Sequence, residues 1–394
     1  MEEWKSYKLQ DLTLDGKGHY GIGAPAVDFD EDLYTYLRIT DINDDGSLNY
    51  SGMKSVNDPE AKRYLLKEGD IVFARTGNST GRAYYYEPSD GQLVYAGFLI
   101  KFSLDPMKVN PRFLKYYTHS KPYYDWVQSF DTGATRGNIN AQTYGAMEIK
   151  LPPRNLQDQL VDVLSSLDKK IKLNNRINHN LEEQTQSLYK SWFIDFLPFS
   201  NCRLINSEIG PIPEGWSVTN LLDVASLYDS KRKPLSGKER DQMAKRYPYY
   251  GATSVMDYVD NYIFDGTYLL MGEDGSVMTE NGFPYLQYVT GKFWPNNHAH
   301  VMQGKNGFST ELLHCALLRK VIKPSVTGAV QAKISQANMR KILFPCPPKT
   351  ILREFDTIIQ KIYDEKRSIE SQNSTLSMIR DNMLPQLMSG QITI

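Results

Sequence analysis

Apolar residues recur along this chain with two different periods. Short runs rich in β-branched and aromatic residues, interrupted by Gly and Asp, predict strands, for example at residues 70–74, 93–100 and 267–271. Two long stretches without Gly or Pro, from about residue 156 to 196 and from about 351 to 384, predict helices. Strand-rich segments therefore alternate with long helices, which predicts an α+β fold.

The two helical stretches carry heptad repeats in the same register, because Phe355 follows Leu160 by 355 − 160 = 195 positions. Asn178 and Asn373 hold equivalent polar positions, which either fix the register of a buried seam or lie exposed in mid-helix. Apolar residues at the first and fourth heptad positions over about five heptads predict a coiled coil between two helices of one chain. The apolar seam residues are Leu160, Leu164, Leu167, Ile171 and Leu181 in the first helix, and Phe355, Ile359, Ile362, Ile369 and Leu376 in the second.

The chain contains one long internal repeat. Trp216 follows Trp4 by 216 − 4 = 212 positions, whereas Thr327 follows Thr132, in matching Thr-Gly-Ala runs, by 327 − 132 = 195. The second copy is therefore 212 − 195 = 17 residues shorter, and the loss falls between these anchors. So long a period indicates a tandem duplication of a domain. We predict similar globular domains at residues 1–153 and 198–348, each followed by a helical segment, at 154–197 and 349–394.

Composition narrows the class of protein. An apolar fraction of 41% and a charged fraction of 23% over 394 residues are typical of a folded globular chain. A net charge of −1 argues against binding of polyanions by bulk charge. No stretch approaches the roughly 18 apolar residues of a membrane span, the start of the chain does not resemble a leader, and the three cysteines lie far apart. We expect a soluble, cytoplasmic protein.

The sequence gives little support for a catalytic function. Asp41 with the Glu60-Ala61-Lys62 triplet is the nearest candidate for a magnesium-dependent nuclease, but such triplets are common by chance. His298 and His300 would project to one side of an extended strand, yet no third metal ligand is evident. A phosphate-binding loop and a methyltransferase motif are both missing. The sequence therefore predicts neither a catalytic residue nor a metal site.

Polar and basic clusters offer better candidates for a binding function. A Gly-flanked loop after a predicted strand could read base edges or phosphates, or could be a solvated hairpin. Arg136 and Asn138 follow a Thr-Gly turn that could face a phosphate. A third cluster, the densest basic run of the second repeat, could contact phosphates or form a flexible charged loop. The Gly-flanked loop contains Arg75, Thr76, Asn78, Ser79, Thr80 and Arg82, and the basic run is Lys231, Arg232 and Lys233.

Three segments carry a family resemblance: the run at residues 131–139, the Ile-Lys-Leu-Pro-Pro segment at 149–153, and the helix that ends in Ser-Trp-Phe-Ile-Asp-Phe at 191–196. Together they resemble the specificity subunit of type I restriction-modification systems. The resemblance covers the whole chain, and its pattern recurs at residues 326–334 and 345–348. It implies two target-recognition domains related by a pseudo-two-fold axis, separated by two helices that pair antiparallel.

The resemblance also implies a function. Such a subunit is not an enzyme: it reads a bipartite, asymmetric DNA target and directs methyltransferase and restriction subunits to it. Two methyltransferase subunits would bind S-adenosylmethionine, restriction subunits would use ATP and Mg, and this chain would hold no cofactor. A coiled-coil protein-protein adaptor without DNA specificity is the alternative. Residues 1–153 carry about 17 basic and 21 acidic side chains, and residues 198–348 carry about 16 and 13. Since neither domain is strongly basic, partner subunits would have to contribute further contacts to the DNA phosphates.

Further DNA-binding residues follow from the family pattern alone. Thr135 and Arg136 lie in the loop expected to contact a phosphate. The second repeat departs from this pattern with Val and Gln at the matching positions 330 and 331, which puts an equivalent contact in doubt, and Lys333 is the candidate to replace it. The segment at residues 249–275, which contains Thr253 near its start, resembles a common type of recognition domain, and this adds Thr253 to the candidates.

Overall fold

The computed structural model describes residues 4–130, 137–328 and 331–390. The chain divides into two compact units. Unit 1 comprises Met1–Leu173 with Gln372–Ile394, and unit 2 comprises Asn174–Ser371. Each unit therefore takes one strand-rich repeat and one half of each long helix.

The first repeat consists of short strands and helices, followed by the first long helix. Its strands are β1 (Lys5–Lys8), β2 (His19–Tyr20), β3 (Ala26–Val27), β4 (Tyr34–Leu37), β5 (Lys54–Val56), β6 (Asp70–Ala74), β7 (Ala83–Tyr85), β8 (Leu93–Tyr95), β9 (Leu99–Ser103) and β10 (Glu148–Leu151). Its helices are α1 (Pro111–Tyr117), α2 (Lys121–Gln128), α3 (Ala141–Gly145) and the long α4 (Arg154–Phe193).

The second repeat has a similar order of elements and ends in the second long helix. Its strands are β11 (Leu204–Ser207), β12 (Gly210–Pro213), β13 (Ser217–Asn220), β14 (Ala225–Leu227), β15 (Tyr247–Tyr250), β16 (Val255–Val259), β17 (Phe264–Asp265), β18 (Tyr268–Gly272), β19 (Leu286–Val289), β20 (Lys292–Pro295), β21 (Ala299–Gly304) and β22 (Leu343–Cys346). Its helices are α5 (Leu221–Val224), α6 (Gly237–Asp241), α7 (Thr310–Leu318), α8 (Gln336–Met339) and the long α9 (Lys349–Met388).

The sheets confirm the duplication. Unit 1 has an antiparallel sheet in the order β2-β9-β6-β7, and unit 2 has its counterpart in β14-β21-β18-β19. A second sheet in each unit contains one parallel pair, β4 with β8 and β15 with β20. The strand that opens each repeat pairs with the strand before the long helix, β1 with β10 and β13 with β22. The fold is α+β, with strands in the two repeats and helix in the segments that follow them.

The predicted strand at residues 93–100 is wrong in one respect, because it is two strands. β8 ends at Tyr95 and β9 begins at Leu99, whose amide donates to the carbonyl of Ala96 (2.8 Å) in a tight turn. The two strands belong to different sheets. The turn lets the chain pass from one sheet to the other, and it leaves the side chain of Phe98 56% exposed.

The long helices differ slightly from their predicted bounds. α4 begins at Arg154 and ends at Phe193, shortly before Phe196 adopts a left-handed conformation (φ 54°). α9 continues through Pro385, although the sequence predicts an end before this proline. The last turn persists because Leu387 and Met388 are buried in the core of unit 1, which offsets the hydrogen bond lost at the proline.

The helices pair antiparallel in unit 1. Leu160 and Leu164, near the start of α4, share one hydrophobic core with Leu384, near the end of α9. Arg380 Nη1 lies 3.1 Å from Asp168 Oδ1, which links the same two helix segments. An early part of one helix therefore contacts a late part of the other.

The same direction holds in unit 2. Tyr189 and Phe193, near the end of α4, share a hydrophobic core with Phe355 and Ile359, near the start of α9. The rings of Phe193 and Phe355 meet edge to face, with their centroids 4.8 Å apart. Antiparallel pairing is thus present in both units.

The remaining seam residues are less deeply buried. Ile369 is buried, whereas Leu167, Ile171, Leu181, Ile362 and Leu376 are half-buried, as are Asn178 and Asn373. Asn178 Oδ1 is enclosed without a hydrogen-bond partner among the described residues, so this atom of the half-buried side chain faces away from solvent. Within the described part of the chain, no helix combines the length and the apolar character needed to cross a membrane.

Candidate nucleic-acid interface

The Gly-flanked loop is a fixed hairpin between β6 and β7. The amide of Gly81 donates to the carbonyl of Ala74 (3.0 Å), and the buried hydroxyl of Tyr123 donates to the carbonyl of Gly81 (2.6 Å). Gly81 has a φ of +87°, and an added Cβ would lie 2.4 Å from a methyl group of Val127. A side chain at this position would crowd Val127, and the two hydrogen bonds attach the loop to β6 and to α2, so it is not a freely solvated turn.

The loop lies beside the second candidate segment. The backbones of Thr76 and Asn138 pair in an antiparallel bridge, and the amide of Ile139 donates to the carbonyl of Arg75 (2.9 Å). Two regions more than 50 residues apart in the sequence thus form one surface in unit 1. Thr135 and Arg136, which the family pattern predicts for this surface, lie outside the described residues.

The polar side chains of this surface differ in exposure. Asn78 and Asn138 are exposed, Thr76 is partly exposed, and Ser79 is buried. The hydroxyl of Thr80 donates to the backbone carbonyl of Gly137 (2.9 Å), which ties the two segments together. The two exposed amides are therefore available to a ligand, whereas Ser79 and Thr80 have structural positions.

Arg75 lies at the centre of the surface with its side chain partly exposed. Its Nε is buried and has no hydrogen-bond partner among the described residues. Its Cζ lies 5.1 Å from the ring centroid of Tyr20 and 6.0 Å from that of Phe98. The hydroxyl of Tyr20 accepts a hydrogen bond from the amide of Ala141 (3.1 Å), at the start of α3. Sequence reasoning missed Tyr20 and Phe98, because a single exposed aromatic residue carries no recognisable signal.

Arg82 has a different environment from Arg75. Its Nε donates to Asp44 Oδ1 (2.6 Å), and its Nη1 donates to the carbonyl of Ile42 (3.0 Å). Both partners lie far before the loop in the sequence, so Arg82 attaches the hairpin to the body of unit 1. Its guanidinium is less available for bases than that of Arg75.

The basic run of unit 2 divides into surface and interior residues. Lys231 and Lys233 are exposed, which either a phosphate contact or a solvated charged loop would require. Arg232 instead turns inward, where its Nη1 donates to Glu273 Oε2 and to the carbonyl of Ala299, both at 2.7 Å. Charge alone could not distinguish these three neighbours.

His300 lies next to this arginine in a buried charge network. Its Nδ1 is 2.6 Å from Asp229 Oδ2, and its Nε2 is 2.9 Å from the carbonyl of Ile334. Since both partners are acceptors, both ring nitrogens carry protons and the ring is an imidazolium. Burial alone would lower the pKa of His300, but the hydrogen bond and the charge of Asp229 raise it above its usual value.

The carboxylates of the network are matched by positive charges. Burial opposes ionisation of Asp229, but hydrogen bonds from His300 and other donors lower its pKa overall. Glu273 contacts Arg232 through Oε2, and its Oε1 lies 3.5 Å from Lys333 Nζ. Asp229, Glu273 and His300 lie close enough together to hold a metal ion. Arg232, bound to Glu273 and 3.8 Å from Asp229, already supplies the positive charge that an ion would bring, so an ion-pair network is the better interpretation.

The other chemical candidates of the sequence do not converge in the structure. His298 is exposed and its Nδ1 contacts Asp274, so it shares no hydrogen-bond partner with His300, although Asp274 follows Glu273 directly in the sequence. Buried Asp41 accepts two hydrogen bonds from the guanidinium of Arg38, at 2.9 and 2.7 Å, and one from its backbone amide, at 2.8 Å. Glu60 pairs with its own arginine, Arg63. The nuclease hypothesis thus gains no shared acidic site from the described residues.

The last two candidates lie on the surface of unit 2. Thr253 is exposed in the turn between β15 and β16. Lys333 is exposed, and its backbone exchanges two hydrogen bonds with Thr327, at 2.7 and 2.8 Å. This pairing fixes the base of the loop that corresponds to the Thr-Gly turn of unit 1.

Arg75 and Glu273 occupy equivalent positions in the two repeats. The carbonyl of Arg75 accepts from the amide of Ile139, and the carbonyl of Glu273 accepts from the amide of Ile334, both at 2.9 Å. The flanking antiparallel bridges are equivalent too, and they join Thr76 to Asn138 and Asp274 to Lys333. One backbone arrangement therefore presents a cation in unit 1 and an anion in unit 2.

A duplicated α+β domain, a long helix after each copy and polar loops at equivalent strand ends define a two-domain recognition protein. The chain belongs to the family of the type I restriction modification DNA specificity domain, whose model matches residues 1–183 and 213–375. Members of this family are the non-catalytic, DNA-recognising specificity subunits of these systems.

Individual relatives agree with this assignment. The chain is 35% identical over 150 residues to a putative type I restriction enzyme specificity subunit of Haemophilus influenzae, a match that covers 38% of this chain and 37% of that protein. It is 24% identical to the MjaIX specificity subunit of Methanocaldococcus jannaschii, over 72% of this chain and 69% of the other. The crystal structure of a type I S subunit from M. genitalium has the same fold, with a TM-score of 0.56 and 16% identity over 98% of this chain and 96% of that one.

Proposed function

We propose that this chain reads a bipartite, asymmetric DNA target and directs methyltransferase and restriction subunits to it. The observation that carries the proposal is the equivalence of Arg75 and Glu273 on a duplicated scaffold. An arginine only donates hydrogen bonds, whereas an ionised glutamate only accepts them. Two domains that differ in this way suit two different half-sites.

The exposed side chains favour DNA over a protein partner. Arg75 keeps a guanidinium without an acidic partner among the described residues, beside the exposed amides of Asn78 and Asn138. Arginine and asparagine are the side chains that pair best with guanine and adenine edges. Lys231 and Lys233 add exposed cations in unit 2, which suit phosphates. A protein adaptor without DNA specificity would have no use for this combination.

Partner subunits would supply the positive charge and the cofactors that this chain does not. With a net charge of −1, the chain has no bulk attraction for a polyanion. Two methyltransferase subunits would add positive surface and bind S-adenosylmethionine, and restriction subunits would bring ATP and Mg. The assembly would act in the cytoplasm, where bacterial and archaeal DNA is accessible. Recognition by this chain would then decide where the partner enzymes act.

Methylation mapping tests the proposal directly. Genomic DNA from the source strain, sequenced with and without this gene, should show one asymmetric bipartite motif whose methylation disappears with the gene. Replacement of residues 198–348 by the second domain of a relative should alter one half of the motif and leave the other unchanged. A motif that survives deletion of the gene, or one made of two identical halves, would contradict the proposal.

A further inference from the structure

The side chain of Arg75 is held in an energetically unfavourable state. Its Nε is buried without a hydrogen-bond partner among the described residues, and none of their ion pairs includes its guanidinium. A buried donor normally finds an acceptor, because an unpaired one loses its hydrogen bonds to water. Arg82, in the same loop, follows this rule through Asp44 and Ile42. Since Nε is enclosed, a partner from outside the protein would have to bind the two Nη groups of Arg75, whose side chain is partly exposed.

The surroundings of Arg75 restrict its orientation. The rings of Tyr20 and Phe98 lie within cation-π distance of its guanidinium. Tyr20 is itself fixed by the amide of Ala141, and the carbonyl of Phe98 accepts from the amide of Arg75 (3.1 Å). An arginine fixed beside aromatic rings keeps its planar fork in one orientation, which favours bidentate contacts over loose attraction to a charge.

From these contacts we infer that Arg75 is the specificity-determining residue of unit 1, and that it reads a guanine by donating to its O6 and N7. The inference rests on the proposed function. A bidentate arginine is the commonest way in which proteins read guanine in the major groove. The nearby Asn78 and Asn138 are neutral, so the surface is built for base edges more than for phosphates.

The equivalent position of unit 2 supports a role in specificity. Glu273 has the same backbone hydrogen bond but is already paired with Arg232 and lies near Lys333. A phosphate contact common to both half-sites would keep the same charge at this position, since the DNA backbone is the same in both. Opposite charges at one backbone position are expected where each half-site has its own bases.

The test uses the complex of the full chain with its methyltransferase subunits and a set of duplexes that carry the mapped target. Each guanine of the half-site read by unit 1 is replaced in turn by 7-deazaguanine, which lacks only the N7 acceptor. With the wild-type complex, one replacement should weaken binding by roughly 5-fold to 100-fold, as expected for loss of a bidentate pair. With Arg75→Ala, the same replacement should have no further effect, and discrimination at that one base pair should be lost.

Three further variants separate the explanations. Arg75→Lys keeps the charge without the fork, so it should not restore discrimination, and Phe98→Ala should relax the same base pair in part. Arg63→Ala removes an exposed arginine of unit 1 that already pairs with Glu60, and it should leave the base preference unchanged.

Each result decides one question. If Arg75→Ala weakens binding to all duplexes equally and Arg75→Lys restores it, Arg75 is a phosphate anchor and the inference is wrong, although the proposed function stands. If no 7-deazaguanine replacement affects the wild-type complex, the inference is also wrong, whether or not the variants fold. If the wild-type complex shows no preferred duplex at all, the proposed function itself fails.

Discussion

Phe193 and Phe355 meet edge to face in unit 2, although they lie 355 − 193 = 162 positions apart in the sequence. Phe355 is fully buried, and it also contacts the rings of Tyr189 and Trp192. One side chain of α9 therefore holds the end of α4 in the core of unit 2. The packing of the two helices depends more on this cluster than on the half-buried seam residues.

Phe355→Ala should lower the free energy of unfolding by about 3–5 kcal/mol, because it removes a buried ring and leaves a cavity. Urea titration followed by tryptophan fluorescence measures the change. Ile358→Ala, at an exposed position three residues further along the same helix, is the matched control and should cost less than about 1 kcal/mol. Equal losses in both variants would argue against a special role of the aromatic cluster.

His314 should destabilise unit 2 in acid. Burial, together with the charge of Lys366, lowers its pKa from 6.5 to about 3, and its Nδ1 lies 2.6 Å from the hydroxyl of Tyr363. As the pH falls below 6.5, the unfolded chain binds a proton at this residue that the folded chain refuses. The stability should then decrease by up to about 1.4 kcal/mol per pH unit. Urea titrations between pH 7 and pH 4 should show a shallower slope in His314→Gln, and His179→Gln controls for the loss of an exposed imidazole.

His300 should have the opposite effect. Its pKa is raised in the folded chain by Asp229, so the stability it contributes is complete below pH 6.5 and is lost as the pH rises through the raised value. Asp229 stays ionised throughout, because its own pKa is lowered. The free energy of unfolding should therefore decline more steeply on the alkaline side of pH 6.5 in the wild type than in His300→Gln. Parallel curves for the two proteins would show that the imidazolium is not required.

Two glycines of one loop should tolerate alanine differently. Gly77 and Gly81 both have a left-handed φ, at +73° and +87°, but only Gly81 is crowded, by Val127. Gly77→Ala should cost about 1–2 kcal/mol for the backbone conformation alone. Gly81→Ala should cost about 1–3 kcal/mol more, because the new methyl group must displace a packed side chain. Thermal unfolding measures both variants, and similar losses would show that Val127 does not crowd position 81.

Arg82→Ala should affect stability and leave base preference intact. Its partner Asp44 is highly exposed, so the ion pair itself contributes less than about 1 kcal/mol. Loss of the bond to the carbonyl of Ile42 adds a comparable amount. Thermal unfolding of the chain and methylation of a duplex library by the complex give the two readouts. A base-specific defect would place Arg82 at the DNA beside Arg75.

The parts of the fold that the sequence predicted are those that depend on local periodicity. The heptad seam and the repeat could be recognised because apolar residues recur at fixed spacings, which also located α4 and α9. The break at residues 96–98 could not, because a turn between two buried strands has the same apolar composition as one long strand. The end of α9 was predicted too early, before Pro385, because burial of Leu387 in the core of unit 1 outweighs the local tendency of proline to end a helix.

The site was predictable only in part. Arg75 could be singled out because it lies in a loop of short polar residues after a strand. The different environments of the two arginines could not be predicted, because they depend on residues elsewhere in the sequence. Asp44 pairs with Arg82, whereas Phe98 lies beside Arg75. Likewise Arg232 and its neighbours have the same charge, and only the position of Glu273 shows which of them turns inward.

The division of the long helices between the two units determines when each unit can complete its hydrophobic core during synthesis. Leu384, Leu387 and Met388 complete the core that Leu9 and Leu12 begin, whereas unit 2 is one continuous segment. Between residues 173 and 388 the ribosome adds 388 − 173 = 215 residues, which takes roughly 10 to 40 s at ordinary elongation rates. The strand-rich repeat of unit 1 is thus made first but completed last, and its core stays open until Leu384, Leu387 and Met388 have been made. Truncation of the chain shortly before Leu384 would damage unit 1 and leave unit 2 whole.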